Sequence, residues 1–236
     1  MPTAARTGTH SLVALLVGWL VATTLLPTAV AAASTPGFSA VGSARQVYAT
    51  GLPAAASASL LGSTGHDLTT LRADALGGVL FRNVPAGGGY RVRLDSNGQE
   101  SGPLVVHTDA AAPWDPGVYG QSLQQSGYGY LTTRDGTKLA IDVRLPLGSH
   151  AAPYPTVIEY SGYGYADPAG PQSGIATLAQ LMGFAVVDVN MRGTGCSGGA
   201  FDYFEPLQNL DGYDVIETVA HQPWVLGHKV GMIGIS

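Results

Sequence analysis

The chain has 236 residues, with 45% hydrophobic and only 11% charged side chains, 33 Gly, 15 Pro, one Cys and a formal net charge of -5. That apolar content can bury a core and excludes a disordered chain, and 11 Lys and Arg against 16 Asp and Glu exclude an electrostatic grip on nucleic acid. A single cysteine cannot close an internal disulfide, and without Cys-x-x-Cys or His-x-x-x-His pairs neither a metal nor a cofactor is expected.

At the N-terminus, Arg6 and His10 precede an uncharged run from Ser11 to Leu26, followed by Pro27 and the small residues Ala29, Ala31 and Ala33. A basic start, an apolar centre and a small-x-small site predict an export signal over residues 1–33. The alternative is an uncleaved anchor, since the run is nearly long enough to span a bilayer. Pro27 and the alanines favour cleavage, which would leave no stable membrane insertion and a secreted or envelope location.

Residues 34–112 read as an accessory β-sandwich. Apolar runs at Gln46–Ala49, Ala58–Leu61, Gly78–Arg82, Tyr90–Leu94 and Leu104–His107 are separated by Gly, Pro, Asn and Asp. In one of them Tyr90, Val92 and Leu94 alternate with Arg91 and Arg93, so one face should be buried and the other wet. Residues 113–126, stiffened by Pro113 and Pro116, read as a linker.

From residue 127 to 236 the pattern changes to α/β. Two alternating runs flank Arg134-Asp135-Gly136-Thr137, and Asp-Gly at that place predicts a hairpin. Strands are expected at Thr156–Tyr160, Phe184–Asn190 and Val230–Ile235, the last two almost continuously apolar, as in a sheet covered on both faces. Ser173 should cap a helix carrying Ile175, Leu178, Leu181 and Met182 and ending at Gly183. A second helix is expected from Asn209 or Asp211, with Tyr213, Ile216 and Ala220 on one face and Pro223 as its stop. Asp211 and Asp214 read as caps or surface charges. Hairpin, strand, helix, strand, helix, strand implies a sheet that begins antiparallel and continues parallel.

Two resemblances follow from these motifs. Phe81-Arg-Asn-Val-Pro-Ala-Gly-Gly-Gly-Tyr-Arg-Val92 is similar to a pattern in transthyretin-like sandwiches, a generic immunoglobulin-like module being the other reading. More extensively, Thr133–Ala140, Tyr160–Tyr163, Met191-Arg-Gly-Thr-Gly-Cys-Ser-Gly-Gly199, Asp211–Asp214, Gln222–Trp224 and Lys229–Ser236 resemble, in order, the start of the catalytic domain of the X-Pro dipeptidyl-peptidase and cocaine-esterase family. That resemblance implies the first half of an α/β-hydrolase and a serine hydrolase acting on a peptide or small ester substrate. Ser236, in a Gly-x-Ser directly after a strand, would be its nucleophile, and Tyr163 would stabilise the oxyanion, with Tyr160 and Tyr165 as nearby competitors. In that fold the acid and the histidine follow the serine, whereas His10, His66, His107, His150, His221 and His228 all precede it, so these residues alone are expected to be inactive. The glycine-rich loop 191–199 is expected to support the pocket, with Arg192 bonding acidic groups and Cys196 an inert thiol. A non-catalytic envelope-binding protein on a degenerate hydrolase fold is the alternative function.

Overall fold

The computed structural model describes residues 1–3 and 36–235. The expected export signal, apart from its first three residues, and Ser236 lie outside them. The architecture below belongs to one compact unit, Thr35–Ser236.

Eight strands come first. They are β1 (Ser39–Ser43), β2 (Gln46–Thr50), β3 (Ser57–Leu61), β4 (Asp67–Arg72), β5 (Val79–Arg82), β6 (Gly87–Leu94), β7 (Gln99–Glu100) and β8 (Leu104–Val106). They form two antiparallel sheets, one ordered β1-β2-β5, the other β4-β3-β6-β7 with β8 also on β6. Val47, Ala49, Leu60, Phe81, Val92 and Leu94 pack in the core between them. The expected alternation holds in β6: Val92 and Leu94 are buried, while Arg93 reaches Asp67 at 2.8 Å and Arg91 reaches Glu100 at 3.5 Å. Strands β1, β4 and β7 carry too little alternation to be read from the sequence, and β4 is exposed along its whole length.

Strand β2 departs from one-sided burial. Its apolar Val47 and Ala49 face the sandwich core, yet Gln46 and Tyr48 on the other face are buried too. Their cover is the α/β half. Gln46 Nε2 donates to Glu205 Oε1 at 2.5 Å, the Tyr48 hydroxyl bonds Thr137 Oγ1 at 2.7 Å, and from β1 Ser43 Oγ donates to Asp135 at 2.7 Å.

Residues 113–126 are tied down at several points. Trp114 stacks on His107 with ring centroids 3.8 Å apart, and a 3-10 turn covers Pro116–Gly120. Gln121 exchanges hydrogen bonds with the backbone of Thr132, and Leu123 N donates to Gln222 Oε1.

The α/β half contains β9 (Gly127–Thr132), β10 (Lys138–Arg144), β11 (Tyr154–Ser161), α1 (Gly174–Leu181), β12 (Ala185–Asn190), α2 (Pro206–Ala220) and β13 (Val225–Ile233). The sheet order is β13-β11-β12-β10-β9, antiparallel among β9, β10 and β12 and parallel among β12, β11 and β13. This is the α/β arrangement expected. One face packs Ile141, Ile158, Val187 and Val189 against Val215 and Val219 of α2.

Both helices bury residues other than the large apolar ones expected, although Ile216 of α2 does pack half-buried against the core. Ser173 does cap α1, accepting from Ala176 N, and Gly183 follows it at φ +88°. The buried residues, however, are Ala176 and Ala179, and Leu178, Leu181 and Met182 are exposed. Small side chains let the helix sit close over Val157 and Val186, and the larger ones point away. Helix α2 begins earlier than expected, at Pro206, with Glu205 as its cap. Its buried face is Leu207, Asp211, Asp214, Val215, Thr218 and Val219, whereas Tyr213 is exposed. Asp211 and Asp214 are therefore neither caps nor surface charges. Apolar periodicity misplaced the face because two buried carboxylates, Asp211 and Asp214, share it with Leu207, Val215 and Val219.

Beneath α1 the central strands carry three carboxylates side by side. Asp142 lies opposite Asp188, and Asp188 opposite Glu159, and all three are buried. Arg144 Nε reaches Asp142 at 2.8 Å and Asp188 at 3.2 Å, and Ser173 Oγ donates to Glu159. One guanidinium cannot neutralise three carboxylates. Burial, with Glu159 adjacent, pushes Asp188 up to about 8 against the opposing pull of Arg144. Asp188 thus keeps a proton when folded that it loses when unfolded, so the stability it contributes is complete below about pH 4 and is lost as pH rises through 8. Urea unfolding is expected to show the protein less stable at pH 8.5 than at pH 5.5 by roughly 3 kcal/mol, with Asp188→Asn flattening the difference; an unchanged slope in that variant would assign the dependence elsewhere.

Candidate active site

The carboxyl ends of the parallel strands are where an open α/β sheet places its ligands. Here β11 and β12 finish level with each other, Ser161 opposite Asn190. Strand β13 pairs Ile233 with Glu159 and then leaves regular structure at Gly234 and Ile235. The last described residues, Gly234 and Ile235, follow β13 without entering a helix.

Two loops face that edge. Residues 162–173 follow β11, and the 191–205 loop follows β12. They are joined where Met191 N donates to Ser161 O at 2.9 Å and Ala166 N donates to Asn190 Oδ1 at 3.0 Å. Tyr163 lies on the first loop, 50% exposed, its ring 5.7 Å from that of Tyr165. Tyr160 is turned the other way: its hydroxyl donates to Gln208 O at 3.0 Å, and burial, reinforced by Asp211, raises it well above the ordinary phenol range. That leaves Tyr163 and Tyr165 as the tyrosines free to point a hydroxyl at a substrate. Tyr165 is raised by desolvation, then by Glu159, and stays a neutral donor.

The 191–199 loop is shaped by glycine where nothing else fits. Gly193 has φ +70°, and a Cβ there would meet Phe201 N at 2.3 Å. Its backbone N donates to Gly198 O at 2.8 Å, closing the loop. Ser197 Oγ bridges Asn190 O and Ala140 N, fastening it to the sheet. Cys196 is exposed, and desolvation and Asp167 push its thiol up, away from reactivity.

Arg192, only 1% exposed, anchors this loop from below. Nε and Nη2 each reach Asp211 at 2.6 Å, Nη1 reaches Asp135 at 3.1 Å, and the guanidinium lies 5.7 Å from the centre of the Tyr48 ring. A parallel pair sits one turn along α2. Arg134 holds both oxygens of Asp214 and also donates to Ala110 O and Ala111 O, while the Tyr119 hydroxyl donates to Asp214 at 2.9 Å. Burial would raise Asp135, but Arg192 and the hydroxyl donors outweigh it and hold it down to about 2. In Asp211 burial prevails over Arg192 and lifts the carboxyl to about 6.

The expectation that Arg192 bonds acidic groups is met. Its partners were not foreseen: Asp135 reads as a turn residue, and Asp211 and Asp214 as surface charges. The available signal was two acids three apart on one helix, within reach of two arginines that each follow a strand.

Residues 135–236 match the X-Pro dipeptidyl-peptidase (S15) family. A Mycobacterium bovis relative named as a serine esterase is 31% identical over 45% of this chain and 20% of its own, as is a Mycobacterium tuberculosis counterpart. The chain thus spans about a fifth of the length of the curated relatives it matches. Among solved structures, a CocE/NonD family hydrolase from Staphylococcus aureus overlays with TM-score 0.38 at 26% identity, over 45% of this chain and 22% of that one. A serine hydrolase from Xanthomonas campestris overlays with TM-score 0.37 at 23% identity, over 48% of this chain and 52% of that one.

Removing one member of a buried ion pair strands the other. Arg192→Leu is expected to destabilise the protein by about 3–5 kcal/mol in urea unfolding, through the carboxylates of Asp135 and Asp211. A loss below about 1 kcal/mol would rank the network with surface pairs.

Proposed function

We propose, with the match of residues 135–236 to the X-Pro dipeptidyl-peptidase family as premise, that the protein is an exported serine hydrolase cleaving an amide or ester through an acyl-enzyme on Ser236. The observation that supports this reading is β13, which runs parallel to β11 as far as Ile233 opposite Glu159 and is followed in the sequence by Gly234-Ile235-Ser236. Export is supported by the basic, apolar and small-residue succession in residues 6–33.

In this mechanism Ser236 Oγ attacks the carbonyl carbon and gives its proton to a histidine base. The carbonyl oxygen takes the negative charge, and the Tyr163 hydroxyl and the backbone N–H following Ser236 donate to it. Collapse expels the amine or alcohol, which takes the proton back from the base, and water then hydrolyses the acyl-enzyme by the same route. Because the acid and the histidine follow the nucleophile in this fold, we assign both to residues downstream of Ser236. The 236 residues by themselves are then inactive.

Two measurements on the full-length natural protein test this. A fluorophosphonate probe should label it, and Ser236→Ala should abolish the labelling; labelling that survives moves the nucleophile, and a wild type that never labels favours a non-catalytic binding protein. Tyr163→Phe should lower kcat about a hundredfold, the equivalent of ~3 kcal/mol of oxyanion stabilisation, with KM little changed. If Tyr165→Phe has that effect and Tyr163→Phe does not, Tyr165 is the donor.

A further inference from the structure

Strand β4 (Asp67–Arg72) closes one end of the β4-β3-β6-β7 sheet. Among the described residues it pairs with β3 alone, and all six of its residues are exposed. An edge of this kind offers a row of backbone donors and acceptors to any strand that can reach it, and charges on such edges commonly serve to keep other strands away. Asp67 and Arg72, at the two ends of β4, are placed to do the opposite.

The direction of each backbone group follows from the ladder. Asp95 N donates to Ser57 O at 3.1 Å, so Ser57, and with it Ser59 and Leu61, turns its backbone toward β6. Ala56, Ala58 and Leu60 then turn theirs toward β4, in keeping with Ala73 N donating to Ala56 O at 2.9 Å. Opposite them, Leu71 and Thr69 spend their N–H and C=O on β3. Thr70 faces Ser59 across a pair without backbone bonds, and the two hydroxyls meet instead at 2.7 Å. Thr70 and Arg72 therefore aim their backbone groups outward. So does Asp67, opposite Leu61, because the register slips between Leu60 and Leu61 and leaves Leu68 as the extra residue.

Directly opposed residues of an antiparallel pair must both turn their backbone groups inward or both turn them away. A second copy of β4 meets that condition when a two-fold axis passes through Thr70. Thr70 then exchanges both backbone bonds with Thr70 of the second copy. The bulge at Leu68 brings Arg72 opposite Asp67 of the second copy, and Asp67 opposite its Arg72. An axis through Asp67 or through Arg72 would set like charges against each other. Both side chains can take a further partner. Arg93 donates to Asp67 Oδ2 at 2.8 Å and Arg72 uses Nη1 on Ala55 O at 3.2 Å, while Asp67 Oδ1 and Arg72 Nη2 make no hydrogen bond among the described residues. The edge also carries apolar surface. Leu68 is 44% and Leu71 40% exposed, and Leu71 lines a cleft with Val79, Leu80 and Phe201. In the Thr70 register Leu71 stands opposite Thr69 of the second copy and gains cover there. We propose that β4 is the contact of an isologous dimer, two copies joining edge to edge about Thr70 into one continuous sheet. The pairing uses no residue of the Ser236 site, so it is independent of the hydrolase reading.

Sedimentation velocity on the full-length natural protein should show a monomer–dimer equilibrium between about 1 and 100 μM. Arg72→Glu and Asp67→Lys each place two like-charge pairs across the axis, and each should weaken dimerisation about tenfold or more. Mixed in equal amounts, the two variants should associate again. Asp67 of one then meets Arg72 of the other, and the two substituted side chains also meet with opposite sign. Thr70→Pro removes an outward N–H that the ladder to β3 does not use, so it should give a monomer whose unfolding midpoint is little changed. The proposal is overturned if the protein stays monomeric at about 100 μM, if its dimer withstands any of these three variants, or if the mixture of the two charge variants fails to associate.

Discussion

Burying a full charge is affordable only when it is paired and its hydrogen bonds are met, and the structure is organised around satisfying that condition at Arg192. Its guanidinium draws together the loop after β12, the turn between β9 and β10 through Asp135, and α2 through Asp211. Arg134 and Asp214 repeat the device one turn along α2. Five charged side chains thereby set the distance between sheet, helix and loop more strictly than apolar packing would, since a misplaced aliphatic loses contacts while a misplaced charge loses its only compensation. The Tyr163 loop inherits this rigidity through Met191 N and Asn190, which tie it to the loop that Arg192 anchors.

The same network reaches into the sandwich. Ser43 and Tyr48 complete the hydrogen bonding of Asp135 and Thr137, and Arg82 bridges Asp202 at 2.6 Å as well as Glu205. An accessory sheet attached only by a linker would turn a wet polar face outward. Here that face is buried, and residues 113–126 are laced to β9 and to the end of α2 by Gln121 and Gln222. The seam is where polar side chains from both halves meet, with Gln46 Oε1 left without a partner among the described residues.

Much of this was legible in the residues. The hairpin at Asp135-Gly136, the strands at Thr156 and Phe184, the Ser173 cap and the antiparallel-to-parallel order all follow from local rules, and all are present. The helix faces were not legible, because periodicity counts apolar residues: it selected Leu178, Leu181 and Tyr213, which are exposed, and passed over Ala176, Ala179, Asp211 and Asp214, which are buried. Polar burial is decided by a partner distant in the chain, as with Asp211 and Arg192 or Gln46 and Glu205, and no local pattern announces it. At the candidate site Tyr163 was named with Tyr160 and Tyr165 as competitors, and the hydrogen bond that turns Tyr160 away, to Gln208 O, is one a sequence does not display.

The two covered faces of β2 also bear on the order in which the molecule can be made. A ribosome releases the sandwich first, and its Ser43, Gln46 and Tyr48 can be hydrated while they wait, so an early-folding N-terminal half carries no stranded charge. The reverse order would leave Glu205 without Arg82, its guanidinium partner. Vectorial synthesis thus suits this architecture, and a circular permutant that put the sandwich last would have to fold against that grain.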